Sequence, residues 1–437
     1  MNYQETLDYL YHTLPMFSHL GSAAYKKDLT NTIAFCEHLG NPQLRFKSIH
    51  IGGTNGKGSV SHMLAATLQT AGYKTGLYTS PHLYDFRERI QVNGIEVDQA
   101  FVVSFVEKWK VLIEEIKPSF FETTVAMAFQ FFAEQKVDVA VIEVGLGGRL
   151  DSTNIILPEL SIITNISWDH VNLLGNTLQQ IAGEKAGIIK QGVPVVIGER
   201  DPATAPVFEN TAAEKDAPLY FASDHFSIAQ YNSKPDILQV TVDNKQHGHL
   251  KKFELDLPGI YQTKNICTVL QGVALLKTGG FTISEANLKE ALRNTKKITG
   301  LHGRWEVVHR NPTVVLEVAH NEAGMQQLLA HLQNLSYKKL HLIIGLVKDK
   351  KADTVLSLLP AAATFYFTHA HIPRALEARL LQQQAAVYNL NGNVYDDVNT
   401  ALQTAITQSG SNDLIVVCGS IFLVAEVDAA ALKSRFA

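Results

Sequence analysis

The chain has 437 residues, 46% of them hydrophobic and 18% charged, with a formal net charge of −4 at pH 7. That length exceeds one typical core, so two or three domains are expected, and the near-balanced charge supplies no field that would recruit nucleic acid or an anionic membrane. Cys36, Cys267 and Cys418 lie far apart without metal-type spacing, and neither a leader pattern nor a bilayer-length apolar run is seen, so a cytoplasmic, monomeric protein without disulfide framework, zinc site or membrane span is expected.

In chain order, residues 3–14 carry apolar side chains at helical spacing, and residues 29–39 form a second helix ending at Gly40, a C′ glycine. A β-favouring run around Ile49 and Ile51 stops at Gly52-Gly53, and a helical pattern starts at Ser59. Gly72 closes the next turn, residues 74–79 form a strand that Pro81 ends, and residues 87–97 alternate around Asn93-Gly94, a hairpin signal. Helices are expected over 99–116 and from Ser119 to about Gln135. The runs 137–144 and 160–166 are nearly continuous in apolar residues, as in parallel strands buried on both faces. A helix over 177–190 and a strand at 195–197 follow, then short alternating strands between about 219 and 257, then helices over 261–277 and 284–295.

Such alternation points to an α/β fold, with a doubly wound N-terminal domain carrying a small antiparallel addition over residues 1–297. Beyond a boundary near 296–303, a smaller Rossmann-like α/β domain is expected over 298–437. Its strands fall at 313–318, 340–344, 363–367 and 414–417, its helices at 322–335 and 399–408, and a last helix closes it. In open sheets of this kind ligands lie beyond the carboxyl ends of the strands.

The stretch 46–59 organises these elements, because strand, glycine-rich turn and helix together hold a phosphate. Glycines let backbone N–H groups approach an anion, the helix N-terminus adds partial positive charge, and Lys57 adds a mobile full charge. The spacing departs from the standard P-loop, since three residues instead of four separate Gly52 from Gly56-Lys57. An ordinary βα turn with a solvent-facing lysine has the same local pattern. Strand ends deliver Ser80, Glu143 and Asp169-His170 to the same sheet edge, where a hydroxyl, a carboxylate and bridging phosphates suit magnesium; His170 reads by residue type as a neighbour of that set. Lys185 lies among Ile181, Ala182, Ala186, Ile188 and Ile189; burial would lower its pKa, and a neutral amine adds carbon dioxide to become a carbamate of opposite charge. The alternative is a wet helix face beside Glu184. By residue type Phe120 and Phe121 suit a flat ring or the core, Glu122 and Asp151 are acceptors, and Arg149 suits a carboxylate or a solvated turn.

Gly53-Thr54-Asn55-Gly56-Lys57-Gly58-Ser59 resembles the ATP loop of the Mur ligase superfamily, and its Gly-Lys-Gly-Ser form is similar to that of folylpolyglutamate synthase and dihydrofolate synthase. The resemblance runs from about residue 40 to the C-terminus and rests on several ordered motifs. It implies ATP contacts at Thr54, Asn55, Gly56, Lys57, Gly58, Ser59, Asn265, Arg304 and Glu317, and magnesium ligands at Ser80 in Thr-Ser-Pro-His, Glu143 in Glu-Val-Gly-Leu-Gly-Gly-Arg-Leu-Asp and His170 in Asp-His. It further implies a carbamylated Lys185, pteroate or folate contacts at Ser119, Phe120, Phe121, Glu122, Arg149, Leu150, Asp151 and Ser152, and glutamate contacts at His320 and Ser420. Lys57, Glu143, His170, Lys185 and Arg304 form the implied catalytic set. Where the family has Asp before Ala-His-Asn, this chain has Glu317-Val318-Ala319-His320-Asn321.

The implied activity is ATP-dependent ligation of L-glutamate to dihydropteroate or to the glutamyl tail of a reduced folate, through an acyl phosphate, with domain closure uniting the substrates and excluding water. Two other readings stay open: a Mur-type ligase acting on a UDP-linked cell-wall precursor, and a nucleotide-gated binding module without ligase activity.

Overall fold

A computed structural model describes residues 1–16, 21, 28–246, 248–348, 352–430 and 432 of the chain. The chain divides into two compact units, the first of Met1–Asn232, Gln239–Asp256 and Gln262–Leu301, the second of Ser233–Leu238, Leu257–Tyr261 and His302–Ala437.

In the first unit, β1 (Lys47–Gly52), β2 (Thr75–Tyr78), β3 (Ile90–Val92), β4 (Ile95–Glu96), β5 (Val139–Glu143), β6 (Leu160–Ile163), β7 (Val195–Ile197) and β8 (Leu219–Phe221) form one sheet in the order β4-β3-β2-β5-β1-β6-β7-β8. From β2 to β8 the neighbours pair in parallel, and β3 and β4 extend the sheet antiparallel. All residues of β5, β6 and β7 are buried, which is why the first two read as nearly continuous apolar runs. The register aligns Ile51 with Glu143 and Gly52 with Ile163, so the chain leaves β1, β5 and β6 at one edge.

Local chemistry sets where elements begin and end. The expected helix over 99–116 is found at Gln99–Ile116, burying Val102, Phe105, Val106, Leu112 and Ile113 on one stripe. Helices appear at Tyr3–Thr13 and Thr30–His38; residues 17–20 and 22–27 between them lie outside the described residues. The expected strand over 160–166 stops at Ile163, because Thr164 and Asn165 turn their side chains to the loop after β1. The hairpin begins only at Ile90, since Phe86–Arg89 is a 3-10 turn closed by a capping box between Asp85 and Glu88. The helix expected over 177–190 ends at Ala186, where Gly187 packs so closely on Arg149 that a Cβ would overlap it.

The segment 219–257 splits in two. β8 joins the main sheet, whereas β9 (Phe226–Ser233), β10 (Leu238–Asn244) and β11 (His249–Leu255) make a separate three-stranded sheet. A helix at Ala205–Glu214 had no sequence counterpart above.

The second unit holds β12 (Glu306–His309), β13 (Thr313–Leu316), β14 (Leu340–Ile344), β15 (Thr364–Phe367), β16 (Gly392–Val394) and β17 (Leu414–Cys418), ordered β12-β13-β17-β14-β15-β16. All its pairings are parallel except β12 with β13. Trp305, Leu328, Leu342, Phe365, Phe367 and Val416 belong to its core. β12, β16 and the helix Ala378–Ala386 escaped the sequence reading because they are short or rich in polar residues. No helix among the described residues is long and apolar enough to cross a membrane.

At the turn from β3 to β4, Asn93 and Gly94 both have positive φ, 50° and 73°, as a two-residue hairpin turn demands. A Cβ on Gly94 would overlap the carbonyl oxygen of Ile298. Gly94→Ala should therefore destabilise the first unit by about 1–3 kcal/mol, measured as a lower thermal or denaturant midpoint in unfolding monitored by circular dichroism.

Candidate functional site

The loop after β1 is held by side chains from other elements. Thr54 N–H donates to the Asn165 carbonyl (2.9 Å), Asn55 N–H to Asn165 Oδ1 (3.0 Å), and Thr164 Oγ1 and Asn165 Nδ2 donate back to the Asn55 carbonyl (2.5 and 3.0 Å). Gly53, at φ 133°, lies so close to Thr164 that a Cβ would overlap its hydroxyl. Gly56, at φ 85°, is the N-cap of the helix Lys57–Thr70, which starts two residues earlier than its apolar pattern. Asn265 packs against Gly56 and donates to Gln262 Oε1 (2.7 Å), and Gln262 in turn donates to Ser59 Oγ (3.0 Å). Thr164, Asn165 and Gln262 were not among the predicted residues; the sign for the first two is a polar Thr-Asn pair closing an apolar strand.

Two lysines converge on one carbonyl oxygen. Lys57 Nζ donates to the Gly53 and Thr54 carbonyls (both 3.2 Å), and Lys185 Nζ donates to the Gly53 carbonyl (2.9 Å). Lys185 is 4% exposed, so the wet-face alternative is excluded. Burial, reinforced by the charge of Lys57, brings its pKa from the ordinary 10.5 down to about 7, against the opposing pull of Asp169 and Asp151. The result is a cationic loop at a helix N-terminus, suited to an anion, beside an amine that is partly neutral near pH 7.

Ser80 and Glu143 are brought together: Ser80 N–H donates to Glu143 Oε2 (3.2 Å) at the adjoining ends of β2 and β5. A hydroxyl and a carboxylate at the sheet edge are hard oxygen donors and fit a magnesium ion completed by phosphates and water. His170 follows Asp169, adopts a left-handed conformation with φ 47°, and its Nε2 lies 3.8 Å from Asp169 Oδ1. Among the described residues no three His, Cys, Asp or Glu side chains form a metal-sized group, so His170 is not assembled with Asp169 and Glu143 into one.

The two phenylalanines part company. Phe120 is buried against Phe86 and Tyr11 with the Arg89 guanidinium 5.2 Å from its ring centre, whereas Phe121 is only partly buried and lies against Gly145, where a Cβ would overlap its ring. Phe121 is thus the ring placed at the strand-end loop. Ser119 and Glu122 form a capping box, Ser119 N–H donating to Glu122 Oε2 (2.6 Å) and Glu122 N–H to Ser119 Oγ (3.2 Å), which roots the helix Phe120–Glu134 beneath that ring. Arg149, on the turn that also carries Leu150 and Ser152, donates to Glu184 Oε1 (2.8 Å). Asp151 is buried; Thr153 Oγ1 and N–H donate to its Oδ1 (2.5 and 3.0 Å) and Leu146 N–H to its Oδ2 (2.8 Å). Burial raises its pKa, and these donors pull it back.

In the second unit, Glu317 follows β13 and its Oε2 accepts from Tyr261 Oη (2.6 Å) and Trp305 N–H (3.0 Å). Burial raises the pKa of Glu317, while the Tyr261 hydroxyl and the neighbouring Arg304 charge lower it. Gly419 N–H donates to the Ala319 carbonyl (2.9 Å), so His320 and Ser420 follow on at neighbouring strand ends; Ser420 Oγ accepts from Phe422 N–H (3.1 Å) and His320 Nδ1 lies 2.9 Å from the Val318 carbonyl.

Comparison with known proteins gives consistent matches. Residues 51–274 match the Mur ligase middle domain and residues 303–421 the Mur ligase, glutamate ligase domain. The chain is 33% identical over 399 residues to the dihydrofolate synthase/folylpolyglutamate synthase of Bacillus subtilis, covering 89% of this chain and 91% of that protein. Among solved structures, E. coli FolC in complex with DHPP and ADP superposes with a TM-score of 0.86 at 28% identity, covering 100% of this chain and 99% of the other. A bifunctional folylpolyglutamate synthase/dihydrofolate synthase from Yersinia pestis, complexed with AMPPNP and Mn ion, gives 0.83 at 30% identity over 99% and 98% of the two chains.

Because Gly56 is left-handed and a Cβ there would overlap Asn265 Oδ1, Gly56→Ala should disturb the loop at the start of the helix Lys57–Thr70. Isothermal titration with a nucleoside triphosphate should show affinity lowered by about ten-fold or more, roughly 1.4 kcal/mol, with the fold retained.

Proposed function

The chain belongs to the folylpolyglutamate synthase/dihydrofolate synthase family of the Mur ligase superfamily, and from that premise we propose how its residues perform the ligation. The reaction is ATP-dependent joining of L-glutamate to dihydropteroate or to a folate. The observation that carries the assignment of parts is the convergence of Lys57 and Lys185 on the Gly53 carbonyl at the start of the helix Lys57–Thr70.

The loop from Thr54 to Ser59 holds the triphosphate through backbone N–H groups and Lys57, with Asn265 bracing it at Gly56. Ser80 and Glu143 would hold magnesium, with His170, next to Asp169, as a neighbour of that set, and the ion when bound would neutralise the phosphate oxygens. Phe121 packs on the pterin and Asp151 accepts its amino hydrogens, with Ser119, Glu122, Leu150 and Ser152 shaping the same pocket. A carboxylate oxygen of this substrate attacks the γ-phosphorus; the bond to the ADP oxygen breaks, and an acyl phosphate forms. The glutamate amine then adds to the acyl carbon, the tetrahedral intermediate expels inorganic phosphate, and the nitrogen loses a proton. Arg304 of the second unit supplies a fixed guanidinium for the transferring charge, Glu317 meets the ribose, and His320 and Ser420 serve the incoming amino acid.

Lys185 enters this scheme as a carbamate. Its neutral form attacks carbon dioxide, a proton leaves the nitrogen, and a cation pressed against Lys57 becomes an anion that pairs with it.

Product mass spectrometry after incubation with ATP, magnesium, glutamate and either dihydropteroate or tetrahydrofolate should reveal a product heavier by one glutamyl residue; Lys57→Ala should lower its formation by about a hundred-fold or more while circular dichroism stays unchanged. ATP turnover with no new amide would refute the reaction.

The carbamate has its own signature. With ¹³C-labelled bicarbonate, a carbamate carbon resonance should grow as pH rises through about 7, where the depressed pKa frees the amine, whereas a lysine at the ordinary 10.5 would stay protonated there. Lys185→Ala should remove the resonance, and a small added carboxylate should restore part of the lost activity.

A further inference from the structure

Trp305 adopts a left-handed backbone conformation, φ 47°, that a bulky side chain rarely takes, and Gly303 two residues earlier is left-handed too, at φ 70°. Arg304 lies between them. A strained residue persists where its surroundings over-determine it, and here several groups of the second unit do so. Glu306 Oε2 accepts from Gly303 N–H (2.7 Å), and Glu306 Oε1 lies 2.9 Å from His302 Nδ1. Glu317 Oε2 accepts from Trp305 N–H (3.0 Å) and is itself fixed by Tyr261 Oη (2.6 Å). The Gly303 carbonyl accepts from Val318 N–H (3.1 Å). The Trp305 ring is buried and stands nearly perpendicular to that of His331, with ring centres 4.1 Å apart, and His331 Nδ1 accepts from Ile260 N–H (3.3 Å).

Two carboxylates thus hold the amides on either side of Arg304, while Arg304 gives Nη1 to the Gly303 carbonyl (3.4 Å). Among the described residues neither carboxylate is hydrogen-bonded to the guanidinium, although its charge is felt at Glu317. This division matters, because a guanidinium gripped by a carboxylate is neutralised, whereas one held through its backbone keeps its charge for a ligand. Ionised acceptors also make the stronger bonds to amides, as a turn under strain requires.

We propose that Glu306 and Glu317, the latter fixed by Tyr261, are positioning residues that clamp the strained turn Gly303–Trp305, so that Arg304 meets the charge of the transferring phosphoryl group without first having to order its own backbone. This rests on the reading that Arg304 stabilises that charge.

The test measures kcat and the KM values for ATP, dihydropteroate and glutamate in the parent enzyme, Arg304→Ala, Glu306→Ala, Glu306→Gln, Tyr261→Phe, and Glu306→Ala combined with Arg304→Ala. Help given only to the transition state appears in kcat. Glu306→Ala should therefore lower kcat by about ten-fold with each KM changed less than about two-fold, and Glu306→Gln, which keeps an acceptor oxygen for the Gly303 amide, should recover most of the loss. In the Arg304→Ala background, Glu306→Ala should lower kcat less than about two-fold further, since the clamp then has nothing to position. If Glu306→Ala does not fold, Tyr261→Phe carries the same expectation, alone and combined with Arg304→Ala. A parent-like kcat in Glu306→Ala beside a strongly lowered kcat in Arg304→Ala would overturn the clamp and leave the role of Arg304 standing. A parent-like kcat in Arg304→Ala would instead remove the reading of Arg304 and the clamp with it. A full second loss in the Arg304→Ala background, or KM values raised together, would mark damage that does not run through Arg304 and would also overturn the clamp.

Discussion

Two ammonium groups donating to one carbonyl oxygen is the constraint from which the rest of the first unit follows. Lys57 and Lys185 reach the Gly53 carbonyl from different helices, so their mutual repulsion must be offset by something the fold provides or by something that binds. The fold offsets part of it by depriving Lys185 of water until its amine is partly neutral. A polyanion at the N-terminus of the helix Lys57–Thr70 would offset the remainder, and a carbamate on Lys185 would convert the repulsion into attraction. Nucleotide affinity and lysine chemistry are on this account two consequences of one crowded carbonyl.

The loop can carry that charge because it is not self-supporting. Thr164 and Asn165, at the end of the strand beside it, hold both the N–H and the carbonyl of Asn55, and Asn265 and Gln262 brace Gly56 and Ser59 from a third element. Glycine is required at 53 and 56 by positive φ and by the closeness of Thr164 and Asn265. A parallel sheet makes this possible, since its register brings the ends of β1, β5 and β6 to one level. The second unit repeats the device on a smaller scale, with Ala319 and Gly419 bonded at neighbouring strand ends so that His320 and Ser420 follow them.

Periodicity and glycine placement made the α/β class, most long helices and the central strands legible, because each rests on a strong local pattern: the stripe of Gln99–Ile116, the nearly continuous apolar run of β5, the Asn-Gly turn at 93–94. Short elements such as β16 and the helix Ala205–Glu214 were not legible, since three or ten residues of mixed character take their form from what they pack against. At the site, the sequence placed residues at strand ends but could not say which way they turn. Adjacent Phe120 and Phe121 look equivalent in sequence, yet helical geometry sends one to Phe86 and Tyr11 and the other to Gly145. The capping box of Ser119 and Glu122 is readable as Ser-x-x-Glu, and weighing those residues only as ligand contacts passed over it.

What separates a ligand-facing acid from a structural one is how many of its acceptor sites the protein itself fills. Glu122 gives an oxygen to its own helix N-terminus, as a structural acid does. Glu317 receives Tyr261 and Trp305 on one oxygen, and the Ala319 amide and the Arg304 charge add to what holds this buried carboxylate. Asp151 takes the Thr153 hydroxyl and amide and the Leu146 amide, with the Gly145 amide also drawn to it, and the Thr153 hydroxyl lies against His50 of β1, the strand that ends at Gly52. With the pterin and the phosphates held as proposed, both contacts would hang from one strand, and a displacement of that strand would move both holders together. A ligation whose first step requires a substrate carboxylate in line with a γ-phosphate gains its alignment from that shared support more than from any single contact.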